Sequence, residues 1–139
     1  MKSALLATAV TGGLVGVVGV ADTASASANG CTRGPNISTI CIDVTGWGLF
    51  VASTDVSQSM GPQGWATVCN YSASWTGTYE SGAGASKLVG PADHCSSYKA
   101  WLEWSPQKTF KHDSNFCGRF KSDQTSFAWS PAACVKIKK

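Results

Sequence analysis

The chain has 139 residues, a formal net charge of +3, and six cysteines and six tryptophans. That length accommodates one domain of ordinary size. So small a positive charge excludes the strong basic footprint that nucleic-acid binding needs.

The first segment reads as a leader and not as part of the fold. Lys2 gives a positive start, residues 4–21 are apolar, and Asp22-Thr23-Ala24-Ser25-Ala26-Ser27-Ala28 offers two small-x-small sites. This is the layout of a secretory signal peptide, with cleavage expected after Ala28 or, nearly as well, after Ala26. The apolar run has the length of a membrane span, but Gly12, Gly13, Gly16 and Gly19 make it a poor helix. Lipidation at Cys31 is disfavoured, because it would leave an odd number of cysteines for an oxidising compartment. The expectation is residues 1–28 as signal peptide and residues 29–139 as a single secreted, extracellular domain, with no membrane attachment after cleavage.

Beyond the leader no long window has a helical period. Short alternating runs are broken by Gly, Pro, Ser and Asn. Ile40, Ile42 and Val44 alternate with polar neighbours as a half-buried strand, Gly46-Trp47-Gly48 turns the chain, and residues 49–56 return. Gly61-Pro62 marks a turn. Residues 66–75 read as a third strand, with Cys69, Tyr71, Ala73 and Trp75 on one face. Residues 77–81 read as a short fourth strand, 82–86 as a flexible loop and 87–89 as an edge strand stopped by Gly90-Pro91. Tyr98, Ala100, Leu102 and Trp104 then alternate with Lys99, Trp101 and Glu103. Phe116, Gly118 and Phe120 form another such face, and Ala133, Val135 and Ile137 the last. So many short strands with frequent turns predict an all-β fold, a small antiparallel β-sandwich or barrel-like domain.

Cys31, Cys41, Cys69, Cys95, Cys117 and Cys134 are an even set in an exported chain of this size, which reads as three disulfides. Spacing does not choose among the possible pairings. Nearest-neighbour pairing, Cys31–Cys41, Cys69–Cys95 and Cys117–Cys134, is the working expectation, the first bridge pinning an N-terminal loop to the first strand and the last joining two strand-like segments. Zinc is disfavoured: the chain has no C-x2-C or H-x3-H pair, and His94 beside Cys95 is awkward for one tetrahedral centre. No cofactor motif is present either, since the Gly82–Ser86 loop lacks the Gly-Lys-Ser/Thr of a phosphate-binding loop.

Catalytic residue types are sparse. Asp93-His94 and His112-Asp113-Ser114 contain the ingredients of a serine hydrolase, but no G-x-S-x-G elbow accompanies them, and both lie in turn-like stretches where such residues serve the backbone. The tryptophans are more informative. Trp75 and Trp104 fall on apolar faces and read as core. Trp101 shares its face with Lys99 and Glu103, Trp47 sits between two glycines, and Trp129 lies in a Ser-rich approach to Pro131. Exposed aromatics on a rigid sheet stack on sugar rings or anchor protein partners, which makes Trp47, Trp101 and Trp129 candidate binding residues. From residue 99 onward eight basic residues face only Glu103, Asp113 and Asp123. This basic half reads as a solubilising face on an edge strand or as a contact for an anionic surface such as a cell-wall polymer.

Trp101-Leu102-Glu103-Trp104, Thr109-Phe110-Lys111-His112-Asp113-Ser114, Phe116-Cys117-Gly118-Arg119-Phe120 and Ala133-Cys134-Val135-Lys136-Ile137 together resemble small, largely uncharacterised secreted proteins of actinobacteria. The resemblance covers about a third of the chain. It implies a disulfide-bearing β domain, fits the pairing of Cys117 with Cys134, and implies no activity.

Three functions from different classes remain. The first expectation is a non-catalytic extracellular binding module for cell-envelope glycan or a protein partner. The second is a secreted inhibitor of proteases or other hydrolases, with Arg33 of Arg33-Gly34-Pro35 as the residue offered to a trypsin-like pocket. The third is a small secreted toxin or hydrolase working through His94 or His112.

Overall fold

The computed structural model describes residues 27–61 and 66–139. The leader up to residue 26, the Pro62 half of the Gly61-Pro62 turn and Trp65 lie outside the described residues.

The fold is all-β. One antiparallel sheet has the order β1(Ala28–Arg33), β2(Thr39–Trp47), β3(Phe50–Ser59), β8(Lys99–Trp104), with β9(Lys108–Thr109) also pairing β3. The second has the order β11(Ala133–Ile137), β10(Ser114–Lys121), β5(Ser72–Thr78), β6(Gly84–Val89). A small ribbon pairs β4(Thr67–Val68) with β7(Ser96–Ser97). The two large sheets face each other as a sandwich and do not close into a barrel.

The alternation seen in the sequence sets the inner faces. Ile40, Ile42, Val44, Val51, Val56 and Ala100 come from the first sheet; Ala73, Trp75, Phe116, Phe120, Val135 and Ile137 come from the second. The sheets approach so closely at Gly118 that a Cβ there would run into the Val56 side chain. β6 is an edge strand, as its Lys87–Val89 part suggests. β11 is the other edge of its sheet and carries Lys136, which reaches Asp113 at 3.6 Å.

All three bridges follow nearest-neighbour pairing: Cys31–Cys41, Cys69–Cys95 and Cys117–Cys134. Two of them join residues that stand directly opposite one another, Cys31 to Cys41 across β1–β2 and Cys117 to Cys134 across β10–β11.

Five local expectations are corrected. Residues 28–33 form a strand and not an N-terminal loop. Their inward positions are Ala28, Gly30 and Thr32, too small or polar to show as an apolar alternation. Gly30 is small because β1 lies against β11, where a Cβ would collide with the Cys134 carbonyl. Ala28 pairs with Val44, so cleavage after Ala26 leaves this strand whole and cleavage after Ala28 shortens it.

Residues 66–75 are not one strand either. Asn70 takes a left-handed conformation (φ 49°) and separates β4 from β5. Cys69 leaves the sheet face for its bridge, its N–H donating to Asp123 Oδ1 at 2.9 Å. Tyr71, Ala73 and Trp75 stay together on the buried face. Residues 77–81 are the end of β5 and a tight turn, in which the Tyr79 N–H donates to the Ala83 carbonyl at 2.9 Å. The expected loop over 82–86 is correspondingly short, because Gly82 at φ 88° turns the chain and β6 starts at Gly84. Tyr98 stands outside β8 with φ 67° and is exposed.

Candidate functional site

The three exposed tryptophans do not converge. Trp47 ends β2 and is 64% exposed, stacking on Phe50 with ring centroids 4.6 Å apart. Trp101 is 55% exposed on the outer face of β8, opposite Ser57. Phe50 and Ser57 are seven residues apart on β3, so Trp47 and Trp101 are separated by about 23 Å of strand. Trp129 is 37% exposed and belongs to the connection between β10 and β11. It lines two grooves.

The first groove, about 600 Å³, runs over the outer side of the second sheet. Its hydroxyls are Ser74, Thr76 and Ser86, its cations Arg119 and Lys87, and its apolar surface Leu88 and Trp129. Strand register explains the grouping. Leu88 stands opposite Ser74, which stands opposite Arg119, while Ser86 stands opposite Thr76, which stands opposite Cys117. The second groove, about 430 Å³, lies between residues 33–35 and 125–131, with Arg33 and Pro35 on one side and Thr125, Trp129 and Pro131 on the other. Arg33 and Trp129, far apart in sequence, are therefore brought to one site. Lys121 completes it, its Nζ lying 4.8 Å from the Trp129 ring centroid, within cation–π range.

The two loops that build the site are each closed by a bridge at their feet. Cys31–Cys41 closes the turn over residues 34–38, and Cys117–Cys134 closes the connection over 122–132. A buried glutamine ties them together. Gln58 is fully buried on β3; its Nε2 donates to Ser38 Oγ at 3.2 Å and its Oε1 accepts from Ser122 Oγ at 2.8 Å. Ser122 also caps the 3-10 turn over Asp123–Thr125 by accepting from the Gln124 N–H at 3.1 Å. At the surface, Asn36 Nδ2 donates to the Gln124 carbonyl at 3.0 Å. Sequence reading missed Gln58, although a polar residue on the inward face with Thr54 and Val56 was the available signal. Gln58→Leu keeps the volume but takes the acceptor from the Ser122 hydroxyl and one donor from Ser38 Oγ, which still donates to the Pro35 carbonyl. It is expected to cost about 1–3 kcal/mol, chiefly for the buried Ser122 hydroxyl left without an acceptor, read as a lower urea midpoint; an unchanged midpoint would mean that Ser122 finds another acceptor.

The loop tips carry strained, exposed apolar residues. Ile37 (φ 62°) and Phe127 (φ 57°) are both in the left-handed region and largely exposed, which is costly for a β-branched or bulky side chain. Arg33 is not at a tip. It stands opposite Thr39 in the β1–β2 ladder.

No family model, curated protein or solved structure matches this chain. Function therefore rests on the geometry.

Asp93, His94, Tyr71 and Ser96 form one network. The consistent assignment has His94 Nδ1–H donating to Asp93 at 3.1 Å and the Tyr71 hydroxyl donating to His94 Nε2 at 2.7 Å, with Ser96 Oγ 3.1 Å from the Tyr71 oxygen. The histidine thus meets a tyrosine that is 1% exposed, not a free nucleophile. Asp93 is fully exposed, and its hydrogen bond to His94 holds its carboxyl below the ordinary range. His112 Nδ1 accepts from the Lys139 backbone N–H at 3.0 Å, a structural use. Among the described residues no group of His, Cys, Asp and Glu is arranged to hold a metal ion.

The acidic residues collect elsewhere. Asp43, Asp55 and Glu103 stand directly opposite one another across β2, β3 and β8, on the outer face of the first sheet. Like charges in such a row destabilise a sheet. The Asp55 carboxyl is pushed above its ordinary value, first by burial and then by Asp43, with Lys99 opposing and Glu103 adding a little. A carboxyl raised in the folded state makes folding take up a proton, so stability falls as pH rises from the ordinary carboxylate range through the raised value. Asp55→Asn is expected to flatten that slope and to raise the melting temperature at neutral pH. Equal slopes for the two proteins would show that Asp55 is not the group responsible.

Proposed function

We propose that the chain is a secreted, non-catalytic binding module whose ligand is a cell-envelope glycan, bound at Trp129. The observation that carries this reading is one indole lining two open grooves, on two loops that are each closed by a disulfide and tied together by Gln58. An indole beside rows of Ser and Thr hydroxyls and a guanidinium suits a sugar, which offers a C–H face for stacking and hydroxyls for hydrogen bonds. Loops fixed in advance spare the ordering cost of binding. Export is supported by the three bridges, which suit an oxidising compartment. Among the described residues no helix is long and apolar enough to cross a membrane.

Trp129→Ala is expected to weaken retention on purified cell-wall glycan at least about tenfold, in line with losing a central aromatic anchor. Trp47→Ala should leave it unchanged. Equal retention of Trp129→Ala and the parent protein would remove the reading.

A protein partner, including a hydrolase that the domain inhibits, is the second reading. Ile37 and Phe127 favour it, as exposed apolar tips held in an unusual backbone conformation. Arg33 fits an inhibitor's contact residue less well, because its backbone is already part of a sheet. A toxin or hydrolase working through His94 ranks third, since its Nε2 is occupied by buried Tyr71.

A further inference from the structure

We infer that the glycan bound at Trp129 is polyanionic, carrying phosphodiester or carboxylate groups repeated along its length. This rests on the glycan reading above and adds the chemical class.

Four cations surround the indole. Arg119 and Lys87 line one groove, Arg33 lines the other, and Lys121 lies over the ring. None of them has a carboxylate partner among the described residues, where the ion pairs are His94–Asp93 and Lys136–Asp113. No Asp or Glu is among the residues lining either groove. Three of the seven carboxylates of the described residues stand together in the Asp43–Asp55–Glu103 row on the outer face of the other sheet, and Asp123, the one in the site's own connection, accepts from the Cys69 N–H.

A small net charge thus coexists with an acidic row on one sheet and unpaired cations around Trp129. Unpaired cations crowded at one site repel one another, and an arriving polyanion relieves that repulsion. Two guanidinium groups add planar donor forks, which match phosphate and carboxylate oxygens. The cations are spread over two grooves on either side of Trp129, which suits a chain with charges at intervals and not a single small anion. The uncharged hydroxyls of Ser74, Thr76 and Ser86 remain for the polyol or sugar between the charges.

The test compares the oxidised, full exported protein on three polymers of matched length: poly(glycerol phosphate), polygalacturonate and neutral dextran. Both polyanions should bind at least about tenfold more tightly than dextran, and affinity should fall steeply between about 50 and 200 mM salt. Whichever polyanion binds more tightly identifies phosphate or carboxylate as the source of charge. Arg119→Gln with Lys121→Gln should lower polyanion binding by about tenfold and flatten its salt dependence. Both side chains lie on the outer face of β10, so the melting temperature serves as the folding control.

Dextran bound as tightly as the polyanions, with no effect of the double substitution, overturns the inference and leaves the glycan reading intact. Polyanion binding that survives both Trp129→Ala and the double substitution overturns the placement, since it would be diffuse charge attraction. Binding to none of the three polymers nor to purified cell wall removes both readings.

Discussion

Full reduction of the three disulfides without denaturant is expected to unfold the domain, or to leave it at the edge of unfolding, at about 37 °C. The bridges close separations of 10, 26 and 17 residues. In the chain-entropy account each contributes about 2–4 kcal/mol, against a net stability for small domains of about 5–15 kcal/mol. Closure entropy grows with loop length, so replacing Cys69 and Cys95 by serine should cost more than replacing either of the other pairs. Circular dichroism melts with and without a phosphine reductant provide the measurement. Melting that is unchanged by complete reduction, verified by thiol alkylation, would show that the sheets are self-sufficient.

Phe116→Ala is expected to be the most damaging change in the core, at about 3–5 kcal/mol. The Phe116 ring is fully buried, edge-on to Phe110 at 4.8 Å and stacked toward Trp104 at 6.1 Å. It also fills the space left by a missing side chain. A Cβ on Gly77 would lie 2.5 Å from Phe116 Cδ2 and 3.0 Å from Phe110 Cε1. Gly77→Ala alone is therefore expected to overpack this corner, by about 1–3 kcal/mol. In the Phe116→Ala background the same methyl enters a vacated space and should cost much less. Chemical denaturation of the two single variants and the double variant gives the coupling directly. Strict additivity would mean that Gly77→Ala acts through the backbone of β5 and not through the ring.

Much of the sandwich was legible because β2, β8, β10 and β11 each put apolar residues on every second position. Legibility failed where the inward side chain was small or the backbone turned without a glycine or proline. β1 turns Ala28, Gly30 and Thr32 inward, half-buried, and its pairing is fixed by Cys31 opposite Cys41 and by the close approach at Cys134. The break at Asn70 depends on tertiary demands, the Cys69–Cys95 bridge and the Asp123 hydrogen bond, which no local pattern announces. The site was legible only in pieces. Trp129 and Arg33 could each be singled out, but what brings them together is the Gln58 link between two loops distant in sequence. Arg119 and Lys121 are ordinary outward residues of an alternating strand until the register places them beside Trp129.

The three bridges span consecutive, non-overlapping segments of the chain. An oxidised but denatured molecule is thus three rings on a string. Two of the rings preserve the alignment of one hairpin each, β1 with β2 and β10 with β11, and so protect against the one-residue slip that would turn their core faces outward. No disulfide joins one ring to another. Strand pairing must dock β10 on β5, and packing must bring β1 against β11; those contacts between rings carry the search that sets the folding rate.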